Sequence, residues 1–174
     1  MIQLSSLMWT MAFFFALIGF MRGWNKEVIA TAGILVSAFA LFQFDALLRA
    51  VLFASLPRDQ VFLAQSGLFL AVVFIAYRTR AMVGTPGRRD LQTNMLGALI
   101  GFFNGYLIAG VIWYFLDINE YPLAPLVIAP GPGSPSDQAR ELLPLVVLSG
   151  GSSGTGDLLT VVVVVLLFIV IIVL

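Results

Sequence analysis

The segment from Asn94 to Phe115 constrains the fold more than any other stretch of this chain. It is apolar over enough residues to cross a bilayer, which takes about 20. Small residues occupy every fourth position within it: Gly97, Gly101, Gly105 and Ala109. At about 100° per residue these positions form one narrow stripe along a helix, and Asn104 projects onto the same face. Each glycine costs about 1 kcal/mol of helix propensity relative to alanine, so the stripe predicts close packing against another membrane helix.

The whole chain has the composition of an integral membrane protein. Of its 174 residues, 60% are hydrophobic and 10% are charged, and the mean hydropathy is +1.03. Soluble domains have about 45–50% apolar and 25% charged residues. Because the apolar residues lie in long runs, we predict an all-α protein embedded in the lipid bilayer. The net charge is zero, which gives no electrostatic case for a nucleic-acid partner.

Two residue types on which many enzymes depend are missing. The sequence contains no cysteine, which excludes disulfides, iron–sulfur clusters and thiolate zinc sites. It also contains no histidine, the commonest ligand of transition metals and the usual general base. We therefore expect no metal site, no cofactor and no catalytic residues, and hence a protein that is not an enzyme.

The apolar runs divide the chain into a membrane core and a C-terminal part. Four runs predict transmembrane helices at about 3–21, 28–44, 61–79 and 94–116. A short interfacial helix is expected at about 46–56, after Asp45 as a capping residue and before Pro57. Together they form a four-helix core over 1–117.

The remaining residues predict a different kind of structure. Clustered Pro, Gly and Ser over 118–156 predict an irregular segment outside the membrane. The run at 157–174 is rich in Val and Ile, which also suits a strand, but its length suits a bilayer helix better. Because this run lacks a stripe of small residues, we expect a fifth, peripheral transmembrane helix that faces lipid.

Small residues also recur at four-residue spacing on two other predicted helices. Gly33 and Ser37 lie on the second, and Gly67 and Ala71 lie on the third. These pairs predict that the glycine stripe packs within the same chain. Asn104 is the only strongly polar residue near the middle of a predicted span, and we interpret it as a hydrogen-bonding residue between helices rather than as a ligand. No acidic residue falls inside a predicted span, which argues against a proton or cation relay.

The basic residues predict the orientation. With five spans, one side of the membrane holds Arg22, Lys26, Arg78, Arg80, Arg88 and Arg89, and the other holds Arg49, Arg58 and Arg140. The side richer in Lys and Arg is normally cytoplasmic, so we expect the N-terminus outside and the C-terminus inside. The four arginines at 78, 80, 88 and 89 are also candidates for contact with anionic lipid or a partner.

Short motifs in the first 117 residues resemble the colicin V production protein family. The connector carries the family's Arg-Gly followed by a basic–acidic pair: Gly19, Arg22, Gly23, Lys26 and Glu27. The glycine-striped helix, preceded by Asp90 and ending near Asp117, resembles the family's last conserved helix. Two departures are the missing acidic residue at the start of the first helix and Asn104, where an Arg is common. The resemblance implies a four-helix bacterial inner-membrane protein connected with colicin V production and envelope physiology.

Three functions therefore stand open. The first is a non-enzymatic multi-pass protein of that family, with a role in toxin production or export or in envelope maintenance. The second is a small accessory subunit of a respiratory or photosynthetic membrane complex, held by other membrane protein subunits. The third is a channel or transporter, against which the lack of charge inside the predicted spans counts.

Overall fold

A computed structural model describes residues 3–78, 90–151 and 154–173. These residues are helical, with turns and loops between the helices and no strand among them. The helices are α1 (Leu4–Arg22), α2 (Trp24–Gln43), α3 (Asp45–Val51), α4 (Arg58–Arg78), α5 (Leu91–Ile118), α6 (Pro135–Gln138), α7 (Pro144–Ser149) and α8 (Asp157–Val173). A 3-10 turn at Ala139–Leu142 continues α6.

Four of these helices, α1, α2, α4 and α5, are long and apolar enough to cross a membrane. They contain 19 to 28 residues, which corresponds to about 28–42 Å of helix. Their existence agrees with the prediction, but one boundary differs in a way that matters. Because α2 begins at Trp24 instead of residue 28, Glu27 lies in its first turn and not in a connector.

A single residue, Gly23, joins α1 to α2. Its φ of +81° lies in a region that side-chain-bearing residues rarely adopt. Its N–H donates to the carbonyl of Gly19 at 2.8 Å, which closes the last turn of α1. The tight junction places Arg22 and Glu27 on either side of the bend.

The glycine stripe of α5 packs against α1, which runs antiparallel to it. A Cβ atom at Gly97, Gly101 or Gly105 would stand less than 3.0 Å from backbone atoms of α1. Gly19 of α1 is equally close to the backbone of α5. We define this contact as the α1–α5 seam. The prediction of a packing partner within the chain was made from small residues on two other helices, whereas the partner in the structure is α1.

The small residues on α2 and α4 divide into packed and open positions. Gly33 lies against α4, where an added Cβ would stand 2.5 Å from the Cβ of Ala76. Ser37 is buried, and its hydroxyl donates to the carbonyl of Ile34 at 2.9 Å. Gly67 has no atom within 4 Å of an added Cβ, and Ala71 is exposed. The prediction that Gly67 and Ala71 pack against a helix of this chain is therefore wrong.

The C-terminal end of α5 carries a contact that the pattern of small residues did not reveal. An added Cβ at Gly110 would collide with the ring of Pro144, the first residue of α7. Leu143 and Leu145 are fully buried beside it. Ala109, by contrast, is only half-buried. Part of the segment predicted to be irregular and outside the membrane therefore folds onto the bundle.

The prediction of a fifth transmembrane helix is not supported. α8 has 17 residues, or about 26 Å against a hydrocarbon core of about 30 Å. Within the described residues, its apolar stretch covers Asp157–Leu166, which is shorter than a span. Leu159 and Val163 are buried where α8 packs against α2 and α7. One face of this part of the helix therefore contacts the rest of the protein instead of lipid.

Candidate functional site

A buried polar cluster lies between the four long helices. We define the Glu27 cluster by five side chains that contact one another: Arg22, Glu27, Thr31, Tyr77 and Asn104. α1 supplies the arginine, α2 the glutamate and threonine, α4 the tyrosine and α5 the asparagine. The side chains of Glu27 and Asn104 are fully buried. The cluster is therefore the point at which all four long apolar helices meet through polar groups.

Arg22 neutralises the carboxylate on one side. Its Nη1 lies 2.5 Å from Oε1 of Glu27, and only 18% of its side chain is exposed. Its Nη2 donates to the backbone carbonyl of Tyr77 at 3.0 Å. The guanidinium also lies 4.3 Å from the centre of the Tyr77 ring, a cation–π contact. One side chain at the end of α1 is thus bound to both α2 and α4.

The second carboxylate oxygen, Oε2, is bound by α4 and α5. The hydroxyl of Tyr77 donates to it at 3.1 Å, and Nδ2 of Asn104 donates to it at 2.9 Å. The hydroxyl of Thr31 lies 2.7 Å from Oδ1 of Asn104. A buried carboxylate is costly unless its charge is paired and its oxygens accept hydrogen bonds. Both conditions are met at Glu27.

The structure regroups the residues that sequence analysis singled out. Glu27 and Arg22 were assigned to the family connector and Asn104 to helix packing, and the structure brings all three together. The prediction placed Glu27 in a connector because the helix boundary was drawn after it, whereas the structure places it in the first turn of α2 with a fully buried side chain. Lys26 forms no ion pair among the described residues.

Tyr77 and Thr31 were missed as members of the cluster. In the sequence, Tyr77 lies at the end of a predicted span, where aromatic residues normally face the membrane interface. Thr31 lies inside a predicted span and resembles its other small residues. A useful signal was the presence of opposite charges, Arg22 and Glu27, on the two sides of Gly23, because a bend at this glycine brings them close together.

A second polar cluster ties the opposite ends of the helices together. Gln65 of α4 is fully buried, and its Nε2 donates to Oδ1 of Asp45 at 2.6 Å. Its Oε1 accepts from Nδ2 of Asn119, after α5, at 2.8 Å. Arg49 pairs with Asp45 at 2.9 Å. We call this the Gln65 cluster, and it connects α3 to α4 and α5.

Beyond α5, polar contacts hold the C-terminal segment. Nε1 of Trp113 donates to the hydroxyl of Tyr121 at 3.0 Å. Burial raises the pKa of Tyr121 to about 12, so this phenol is neutral at physiological pH. Arg140 pairs with Asp117 at 3.0 Å, and the backbone N–H of Ser5 donates to Oγ of Ser136 at 3.2 Å.

The predicted arginine group is only partly covered by the structure. Arg78 ends α4, where its guanidinium lies 4.8 Å from the centre of the Phe74 ring. Arg80, Arg88 and Arg89 lie outside the described residues.

The comparison with known protein families adds the decisive observation. Residues 4–127 match the family described as colicin V production protein, a region that contains all four spanning helices and the Glu27 cluster. The chain belongs to the colicin V production protein family. The predicted resemblance is thereby confirmed, and the match extends about ten residues past the predicted limit at 117. No curated protein and no solved structure matches this family member.

Proposed function

We propose that this member of the colicin V production family is a non-enzymatic protein of the bacterial inner membrane. Its proposed role is in the production or export of a colicin-V-type toxin and in envelope maintenance. The observation that carries the proposal is the family match over residues 4–127, which coincides with the four membrane-spanning helices.

The Glu27 cluster supports the non-enzymatic part of this proposal. Arg22, Tyr77 and Asn104 occupy both oxygens of the Glu27 carboxylate. A general acid or base must reach the proton of a substrate within about 2.6–3.2 Å. Here the partners of the carboxylate are other helices of the same bundle, so we assign the cluster the role of joining the helices.

Complementation tests the proposed role. A colicin-V-producing strain that lacks its own family member should regain toxin release when it expresses this chain, measured as the zone of growth inhibition. Survival in bile-salt-type detergents would report envelope maintenance in the same strains. Failure to restore either property, with the folded protein detected in the membrane fraction, would contradict the proposal.

The proposed orientation places the Arg22 end of the bundle in the cytoplasm and the N-terminus outside. Its support is the excess of Lys and Arg at that end. The expectation of a cytoplasmic C-terminus depended on a fifth span and is withdrawn with it.

The chain has no native cysteine, so Asn25→Cys and Gly131→Cys are clean reporters. An impermeant maleimide should label residue 131 in intact spheroplasts and residue 25 only after lysis; the reverse pattern would invert the topology.

A role as accessory subunit of a respiratory or photosynthetic complex is the second candidate. An open groove between α1 and α5, with exposed Phe13 and Leu99 on its walls, favours a helix of another subunit. Arg78, Arg80, Arg88 and Arg89 are proposed contacts for such a partner or for anionic lipid.

Purification in mild detergent distinguishes the candidates, because co-migration with a haem- or pigment-bearing assembly at fixed stoichiometry would replace the first proposal. Flux of solutes across the membrane of liposomes that contain the protein would support the weaker alternative, a channel or transporter.

A further inference from the structure

An apolar crevice of about 330 Å³ lies between α1, α4 and α5. Its inner wall is formed by buried side chains, among them Met8, Ile108 and Trp113, which are 1%, 6% and 3% exposed. Leu7 and Leu70, on opposite sides of its mouth, are both 44% exposed. We call this feature the α1–α4 crevice. It is deep enough to reach core residues and open at the surface that the spanning helices present to lipid.

The crevice exists because α1 and α4 converge at only one end. Near the Glu27 cluster, the rings of Phe15 and Tyr77 meet edge to face with their centres 5.6 Å apart. Phe15 also lines the crevice and closes this end of it. Toward Leu4 and Leu116, which also line the crevice, side chains of the described residues leave the space between the two helices open. The polar cluster and the crevice thus share one aromatic wall.

We infer that the α1–α4 crevice binds one acyl chain of a membrane lipid. All the side chains that line it are apolar, which makes water an unfavourable occupant. Its mouth lies on membrane-spanning helices, where hydrocarbon chains are the surrounding medium. Insertion of a chain would restore the dispersion contacts that a void denies to Met8, Ile108 and Trp113. This inference rests on the chain spanning a bilayer and not on its role in toxin production.

The size of the crevice decides against a helix as its occupant. Met8, Ile108 and Trp113 on its inner wall are at most 6% exposed, so the depth admits only slender groups, whereas a helix is about 10 Å across. A helix of a second copy could therefore cover the mouth but could not fill the depth. A single extended hydrocarbon chain is slender enough to enter between Leu7 and Leu70 and to reach Trp113.

Fluorescence quenching in vesicles tests the inference through Trp113. The double variant Trp9→Phe/Trp24→Phe leaves Trp113 as the only tryptophan, and Trp24→Phe/Trp113→Phe leaves the lipid-exposed Trp9 as a reference. Each protein is placed in phosphatidylcholine vesicles, with acyl chains that are either brominated or unmodified. Bromine quenches tryptophan fluorescence only at short range. We expect Trp113 to lose a fraction of its fluorescence similar to that lost by Trp9, although Trp113 is only 3% exposed.

Variants that fill the crevice complete the test. Ala109→Leu narrows the space from α5 and should remove most of the quenching of Trp113. Ala71→Leu, on the exposed face of α4, is the matched control and should leave quenching unchanged. If circular dichroism shows that Ala109→Leu is misfolded, Leu70→Phe narrows the mouth from the other side. The inference would be overturned if Trp113 is not quenched, or if its quenching survives the filling variants. It would also be overturned if quenching disappears as the ratio of protein to lipid rises, since that result would assign the crevice to a second copy.

Discussion

The bundle is held together in two physically different ways, by the α1–α5 seam and by the Glu27 cluster. In the seam, Gly97, Gly101 and Gly105 allow the backbones of two helices to touch. In the cluster, a buried carboxylate is bound by side chains from three other helices. The seam fixes the distance between one pair of helices over several turns, whereas the cluster fixes which four helices meet at one level.

The difference lies in how each contact tolerates change. Backbone atoms in the seam cannot move without separating the two helices, because the nearest contacts of Gly97, Gly101 and Gly105 are with the backbone of α1. Side chains in the cluster can adopt other rotamers, and the loss of one hydrogen bond leaves others in place. We therefore expect substitutions in the seam to act nearly all-or-none and substitutions in the cluster to act in steps that follow the charge removed.

The largest effect is expected for Gly101→Leu in the seam. The added Cβ alone would stand less than 3.0 Å from the backbone at Phe15 and Gly19. Overpacking costs about 1–3 kcal/mol where side chains can adjust, and here only backbone can give way. We expect the folded monodisperse protein to be lost in mild detergent. Gly67→Leu is the matched control, since Gly67 faces open space, and it should leave the melting temperature unchanged or higher. Equal stability of the two variants would contradict the role of the seam.

A smaller but substantial effect is expected for Glu27→Gln. The amide keeps the shape of the side chain but leaves the guanidinium of Arg22 without its counter-charge. Removal of one partner from a buried pair costs about 3–5 kcal/mol. The control is Glu120→Gln, which breaks the exposed pair with Arg58, both side chains being more than 60% exposed; it should cost about 0–1 kcal/mol. Denaturation in mixed micelles measures the free energy of unfolding of both variants. If Glu27→Gln loses no more than the control, the cluster does not stabilise the bundle.

An intermediate effect is expected for Gly110→Ala, which tests whether the C-terminal segment is docked as firmly as the seam. The new methyl group would collide with the ring of Pro144. Because α7 is a short element that can shift, the cost should stay near 1–3 kcal/mol. Limited proteolysis of residues 118–151 should become faster in this variant and remain unchanged in Gly131→Ala, whose position is open. Equal cleavage rates in the two variants would argue against docking at Gly110.

The contrast also explains what the sequence could predict. Close packing at Gly97, Gly101 and Gly105 follows from a periodic pattern, because glycine in a long apolar helix has few other uses. The number of spans in the core follows from run length and hydropathy. The partner of the stripe was missed because Gly33 and Gly67 suggested other helices. Ala12 and Ala16 on α1, and Gly19 and Gly23 at its end, are also four residues apart.

The Glu27 cluster was harder to predict for a physical reason. Charged residues next to a predicted span are normally solvated, so a boundary drawn at the first apolar residue assigned Glu27 to water. Its burial depends on Arg22, which neutralises it, and on Tyr77 and Asn104, which lie 50 and 77 residues away. Such a group can be recognised only when all its partners are placed together. The docking of Pro144 on Gly110 likewise depends on contacts between distant parts of the chain.

The smallest effect is expected for Tyr77→Phe, which separates the hydrogen bond to Glu27 from the ring contacts of the same residue. The ring would keep its edge-to-face contact with Phe15 and its position beneath Arg22. The hydroxyl bond to Oε2 is lost together with the contact of the hydroxyl with Asn104, but Asn104 still donates to that oxygen. Hydrogen bonds between membrane helices average about 0.6 kcal/mol, so we expect a loss of that order in the free energy of unfolding. Tyr114→Phe is the control, because the Tyr114 hydroxyl has no hydrogen bond among the described residues, and it should cost less. A loss at Tyr77 as large as that of Glu27→Gln would mean that the cluster, like the seam, fails all at once instead of in steps.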